Sequence, residues 1–271
     1  MNSVPKLASE DSGRRWTDRI QRACELEQSY PEAAVLLHFY GNVLTFQRGI
    51  ARASRCQVNP RLPLREQIDF DGALEALPEL LTLALQCGPE LLAAKAETLR
   101  QMDRDDRYEL FRSALFPSDS LNDGGGTFFA RTCLQPIAEN LQMQLPGEAN
   151  YFKSSCPACG GYPQLAILRS EGDGGRRSLL CSFCLHEWVF RRIVCPCCGE
   201  EDKEKLPYYS TETCKHVRVQ GCDTCHRYLK VVDMTVDGHA VPLVDEAALA
   251  VLDVWANDHG YAKITRNLIG L

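Results

Sequence analysis

The chain has 271 residues, 45% of them hydrophobic and 24% charged, with a formal net charge of −6. That length fits one or two folded units, the composition is globular rather than disordered, and 36 acidic against 30 basic residues exclude a general nucleic-acid-binding coat. No run approaches the ~20 apolar residues of a membrane span, and the start, MNSVPKLASEDSGRRW, lacks the apolar core of an export signal.

Residues 1–150 are expected to form a helical domain. After Tyr30-Pro31, where proline suits a first helical position, Val35, Leu36, Phe39, Val43, Phe46 and Ile50 recur at helical spacing. A second stripe carries Leu77, Leu80, Leu81, Ala84 and Leu85. Gly88-Pro89 ends that helix and starts another with Leu91, Leu92, Ala96 and Leu99. Asp105 to Leu115 reads as a short helix. A loop at Asn122 to Gly126 leads to Thr127 as a helix cap and to Phe129, Leu134, Ile137, Leu141 and Leu145, with a kink expected at Pro136. These stripes read as bundle core, and Cys24, Cys56, Cys87 and Cys133 among them as small buried hydrophobes.

Pro146 to Asn150 reads as a linker, after which the period changes. Short β-prone runs follow at 164–169, 177–180, 188–194, 217–220 and 228–234, with a hairpin turn at Gly172-Asp173-Gly174-Gly175. Asp245 to Asp258 predicts one terminal helix carrying Leu249, Leu252 and Trp255 and stopped at Gly260. The expected architecture is α+β: the helical domain, two tandem β ribbons at 151–192 and 193–240, and a C-terminal helix and tail at 241–271.

Ten of the fourteen cysteines lie between Cys156 and Cys225. In a chain without an export signal the compartment is reducing, so such density points to metal ligation or redox chemistry before disulfides. Four Cys-x-x-Cys pairs stand in order: Cys156/Cys159, Cys181/Cys184, Cys195/Cys198 and Cys222/Cys225. Their separations of 21 and 23 residues are those of two tetrathiolate ribbons. The unit starts lie 39 residues apart and their second pairs 41, an internal repeat that favours sequential pairing. The rival pairing joins the two inner pairs. Four thiolates complete a tetrahedron and leave no open position, so each site is structural by default, and its metal supplies the stability that so small a unit lacks. Gly160 and Gly199 follow the second cysteine of their knuckles, where a tight turn needs positive φ.

His186, His216 and His226 are alternative ligands, and Cys197 and Cys214 are spare thiols outside the tetrads. Dithiol redox catalysis needs only one pair opening a helix, so four pairs at ribbon spacing disfavour it. From Cys156 through Cys225 there are nine basic and nine acidic side chains. The ribbons are therefore not a basic surface, which disfavours nucleic acid as a ligand. Arg176-Arg177 and Arg191-Arg192 read as solvated strand edges.

Cys181-Ser182-Phe183-Cys184-Leu185-His186-Glu187-Trp188 resembles the Cys-x-x-Cys-x-His-Glu-Trp signature of the formate dehydrogenase accessory protein FdhE family. Cys156-Pro157-Ala158-Cys159-Gly160, the Cys195 pair, the run Cys222 to Lys230, Ala248 to Asp253 and Gly260-Tyr261-Ala262 follow in the family's order. The resemblance covers about residues 154 to 262, with Cys197 and a short tail after Tyr261 as departures. It implies rubredoxin-like ribbons, bound iron and a cytoplasmic protein required for active formate dehydrogenase. It also implies binding to that enzyme's catalytic subunit, which carries a molybdenum or tungsten pterin and iron–sulfur clusters. No catalytic residue is expected. The expected metal ligands are the eight paired cysteines, holding two ions of iron or zinc. His186, Glu187, Trp188 and Tyr228 are the candidate partner contacts; the other reading of the His-Glu-Trp run, and the favoured one, is that Trp188 packs the ribbon and His186 donates to a carbonyl or a thiolate. A metal-ribbon nucleic-acid-binding protein and a thiol oxidoreductase are the alternatives.

Overall fold

The computed structural model describes residues 6–115, 125–146, 151–172 and 174–270. The expected loop at 122–124 and linker at 147–150 lie outside them. The helical part contains α1 (Lys6–Ser29), α2 (Ala34–Ala53), α3 (Phe70–Cys87), α4 (Glu90–Gln101), α5 (Arg104–Leu115) and α6 (Gly126–Gln142). Helix α6 is its axis. Phe128, Phe129, Cys133, Leu134, Ile137 and Leu141 are all buried, and α2, α3 and α5 pack around them. Thr132, Gln135 and Glu139 of this helix are buried as well, so it is enclosed on nearly every side, with its polar groups hydrogen-bonded inside the bundle.

Of the expected α2 stripe, Phe39, Val43 and Phe46 are buried and Val35 is 84% exposed; Leu37, Tyr40, Leu44, Gln47 and Ala51 are buried as well, so the buried face is wider than the stripe. A 3₁₀ turn at Pro31–Ala33 precedes α2 and sets its rotation against α1. Thr127 is not a cap: Gly125, at φ +94°, takes that position. Only Cys133 of the four scattered cysteines is buried; Cys24 is exposed, and Cys56 and Cys87 are half-buried.

The second half holds β1 (Pro163–Glu171), β2 (Gly174–Cys181), β3 (Glu187–Val189), β4 (Tyr208–Ser210), β5 (Val217–Cys222) and β6 (Arg227–Asp233). Helices α7 (Pro242–Ala248) and α8 (Ala250–Asp258) and the short strand β7 (Ala262–Lys263) complete it. Antiparallel β1–β2–β3 form the first ribbon and β4–β5–β6 the second. The two join into one sheet, ordered β3-β2-β1-β6-β5-β4, through parallel pairing of β1 with β6 from Leu165↔Lys230 to Leu168↔Asp233. Strand alternation then divides the sheet into two faces. Leu165, Ile167, Val219, Tyr228, Lys230 and Val232 share the face on which Tyr228 and Lys230 meet α7 and α8. Leu168, Arg177, Arg218 and Gln220 share the other.

Two elements are shorter than the sequence suggested, each because one buried cation takes carbonyls that the element needs. Strand β3 stops at Val189. Beyond it the Arg177 guanidinium collects the carbonyls of Arg191 (2.9 Å), Arg192 (3.3 Å) and Val194 (3.0 Å). Arg177 is thus no solvated edge residue; it is 1% exposed. The terminal helix breaks at Leu249, because Lys230 Nζ, inserted from β6, binds the carbonyls of Glu246 (2.5 Å) and Leu249 (3.3 Å).

Candidate metal centres

Both ribbon ends converge on four sulfurs. In the first, Cys156 Sγ lies 3.6 Å from Cys184 Sγ, and Cys159 Sγ 3.4 Å from Cys181 Sγ. In the second, Cys195 Sγ lies 3.8 Å from Cys225 Sγ, and Cys198 Sγ 3.6 Å from Cys222 Sγ. Within each group all four sulfurs lie within 4.8 Å of one another. Disulfide sulfurs sit about 2.05 Å apart. A tetrahedral ion with 2.3 Å metal–sulfur bonds needs edges of about 3.8 Å. The donor set and its spacing therefore fit one ion per group. The sequential pairing is the one the geometry makes; the inner-pair rival is not.

The knuckles explain why these residues converge. The residue after each second cysteine is left-handed: Gly160 at φ +72°, Leu185 at +56°, Gly199 at +81° and His226 at +52°. Two are the expected glycines; the other two carry side chains in a conformation that the turn imposes. Backbone hydrogen bonds close the loops. Cys156 N–H donates to Gly161 O (2.7 Å), Cys181 N–H to His186 O (2.9 Å), Cys195 N–H to Glu200 O (2.8 Å) and His226 N–H to Cys222 O (2.8 Å). Phe183 N–H and Cys197 N–H each point 3.4 Å from a cysteine sulfur, Cys181 and Cys195 respectively.

The two centres differ in surroundings. The first is covered from the helical side. Arg65 Nε donates to Cys159 O (2.8 Å), with its guanidinium 4.8 Å from the Phe183 ring centroid. Arg131 and Gln135 on α6 both donate to Ser182 O, at 2.8 and 3.1 Å. Burial lowers Arg131 to about 10, against the pull of the Cys181 sulfur. In the second centre Cys198 is exposed and Cys225 half-buried.

The expected partner contacts divide. His186 and Glu187 are half-buried beside a cavity of about 660 Å³ between the helices, the first ribbon and the start of α7. His186 Nδ1 meets Gln142 Nε2 at 2.5 Å, and Glu187 takes Arg169 and Ser178. Trp188 and Tyr228, at 5% and 1% exposure, have no surface to offer a partner. Trp188 Nε1 donates to Lys153 O (3.0 Å), and Tyr228 Oη to Asp253 (2.7 Å). Both are core residues whose polar tips are satisfied, which corrects their assignment as contacts. No histidine joins either tetrad among the described residues.

Two polar clusters carry no sequence motif. Lys230 and Lys263 meet Glu246 and Asp253 in the core, with Lys230 Nζ 3.0 Å from Glu246 and Lys263 Nζ 3.0 Å from Asp253. The second runs from the spare thiol. Cys214 Sγ lies 3.4 Å from His216 Nδ1, His216 Nε2 lies 2.8 Å from Asp245, and Arg22 of α1 clamps Asp245 (2.6 Å) and Asp237 (2.9 Å). The hydrogen bond to Asp245 raises His216 to about 10. Burial opposes ionisation of Cys214, but His216 and Tyr30 hold it below the ordinary thiol range. At 3% exposure this thiol anchors the second ribbon to α1 and α7 rather than meeting solvent. Only its spacing in sequence, Cys214-x-His216, hinted at the pair.

The fold and the site define a class: a helical domain seated on a joined pair of tetracysteine ribbons. Residues 155–192 match the central domain of FdhE and residues 193–269 its C-terminal domain. The chain is 28% identical to the protein FdhE homolog of Aquifex aeolicus over 93% of its own length and 94% of that protein's. It is 26% identical to the homolog of Shewanella baltica over 71% of its own length and 60% of that protein's. The crystal structure of the FdhE protein from Pseudomonas aeruginosa superposes with a TM-score of 0.76 at 24% identity, covering 95% of this chain and 96% of that one. The chain is thus similar to FdhE proteins in both ribbons, along most of its sequence and in its fold.

Proposed function

We propose that the protein is a non-enzymatic accessory factor that binds the catalytic subunit of formate dehydrogenase in the cytoplasm and is required before that enzyme becomes active. The observation carrying this reading is the pair of closed tetracysteine groups in a chain similar to FdhE proteins. Cys156, Cys159, Cys181 and Cys184 hold one ion, and Cys195, Cys198, Cys222 and Cys225 the other, with no ligand position left for a substrate. Iron is the ion the family resemblance favours, and zinc suits the same donors. Bound metal fixes the knuckles, which lowers the cost of ordering a docking surface. The working units are residues 1–150, 151–192, 193–240 and 241–271. Among the described residues no helix is long and apolar enough to cross a membrane.

The test is co-purification of the tagged chain with the formate dehydrogenase catalytic subunit from its own cells, together with a clean deletion. Deletion abolishes formate oxidation while transcripts of the enzyme persist, and serine replacement in either tetrad reproduces the loss. Normal formate oxidation in the deletion strain refutes the accessory role.

A further inference from the structure

The sheet face away from α7 and α8 opens into a groove of about 700 Å³ between the inter-ribbon connection and β4–β5. Arg177, Arg192, Lys203 and Arg218 line it against one acid, Glu204, in a chain whose net charge is −6. Arg192 and Lys203 form no ion pair among the described residues, and Arg218 reaches Asp233 (2.5 Å) with one terminal nitrogen. Arg177 meets only neutral partners, the three backbone carbonyls and Gln220 Oε1 (2.6 Å). Three buried donors here, Arg177 Nε, Arg218 Nε and Gln220 Nε2, lack a partner among the described residues. Arg177 and Gln220 are 1% and 3% exposed. Buried donors without acceptors are costly, and a cluster of them on a cationic groove marks where an acceptor belongs.

The groove ends at β4, the last strand of the sheet, with no strand beyond it among the described residues. Strand alternation sorts its side chains. Tyr208, paired with Gln220, faces the cationic groove, and the Arg218 guanidinium lies 5.5 Å from its ring centroid. Tyr209 faces the other way, 4.4 Å from the Trp255 ring, beside a second hollow of about 400 Å³ that includes exposed Val251 on α8. A strand added at an open edge places successive side chains on opposite faces. Here one face offers cations and the other offers aromatic and aliphatic surface.

We propose that the β4 edge binds an extended segment of a partner protein whose side chains alternate acidic and apolar, the acids entering the Arg177–Arg218 groove and the apolar groups entering the Tyr209–Trp255 hollow. The inference deepens the accessory role and rests on it only for the partner's identity.

The test uses the full metal-loaded chain and a dye-labelled, N-acetylated peptide of alternating Glu and Val, read by fluorescence anisotropy. A peptide of the same composition with its Glu and Val in separate blocks, and an eight-nucleotide oligothymidylate, are the comparisons. Two surface variants, the double charge reversal Arg192→Glu/Lys203→Glu and Val251→Asp, separate the two faces; metal content and melting temperature verify their folding. The alternating peptide binds, each variant weakens it by about tenfold or more, and raised salt weakens the cationic arm selectively. Absence of binding, equal binding of the block peptide, or binding that neither variant changes overturns the proposal. Tighter binding of the oligonucleotide, lost in the double reversal, overturns it in favour of a nucleic-acid groove. Peptide binding that survives while formate dehydrogenase fails to co-purify refutes the accessory reading alone. Co-purification that both variants leave intact refutes the groove alone.

Discussion

Replacing Glu246 with glutamine probes the buried ion cluster that ties the C-terminal helices to the sheet. Glu246 is fully buried among Lys230, Lys263 and Asn267. Burial alone would raise its carboxyl, but Lys230 and then Lys263 overcome that and lower it from 4.5 to about 2. At about 1.4 kcal/mol for each pKa unit, the ionised carboxylate contributes about 3 kcal/mol at neutral pH. Because the folded value is depressed, this contribution is complete above pH 4.5 and is lost as pH falls through about 2. Glu246→Gln keeps the shape and leaves two buried ammonium groups sharing Asp253, a loss in the same range. Urea unfolding of metal-loaded protein, followed by far-UV circular dichroism, should show the midpoint at pH 7 lowered by about 1 M or more. Between pH 4.5 and about 2 the wild type should fall toward the variant; thiolate protonation acts on both proteins and cancels in the difference. A variant with the wild-type midpoint at pH 7, or a gap between the two that does not narrow in acid, would refute the account.

Cys198 is exposed, whereas Cys181 and Cys184 are fully buried. A chelator should therefore draw metal in two phases, the faster one disappearing in Cys198→Ser; a single phase contradicts the difference in access. His216, held near pH 10 by Asp245, should return toward the ordinary imidazole value of about 6.5 in Asp245→Asn. Nitrogen-detected magnetic resonance across pH 5 to 11 reads that shift directly, and an unmoved His216 would remove Asp245 as its cause.

The two tetracysteine groups were legible because thiolate ligation leaves a spacing rule in the sequence. Eight cysteines at fixed intervals allow few arrangements, and Gly160 and Gly199 marked two of the four left-handed turns. Leu185 and His226 hold the same conformation without the residue that advertises it. The helical stripes were legible for the usual reason, period and burial together, and they failed at Val35. Helix α1 went unread, and β4 and β7, with three and two residues, are too short to show a period. The His-Glu-Trp motif allowed two readings, Trp188 packing the ribbon or Trp188 as a surface anchor, since exposed tryptophan is a common anchor of interfaces. In the fold Trp188 lies inward, because β3 is paired with β2 and its alternation turns Trp188 toward the core.

What the cysteine pattern could not reveal is that the two ribbons are not separate but share one sheet. Each hairpin is internally antiparallel and metal-closed, so the spacing describes it as self-contained. The parallel pairing of β1 with β6 is made by strands some sixty residues apart, and a contact at that separation leaves no local signature. Its consequence is physical. The first centre is bound through Arg65, Arg131 and Gln135 to the helical part, while the second lies at the same strand end of the sheet on the neighbouring hairpin, because β1 and β6 run parallel and each begins just after a cysteine knuckle. Metal in the first centre would therefore hold the sheet to the helices, and metal in the second would order the Lys203–Lys205 turn and the edge strand β4 that border the cationic groove. The fold thus sets the tetracysteine group that contacts the helices apart from the one nearest the cationic groove.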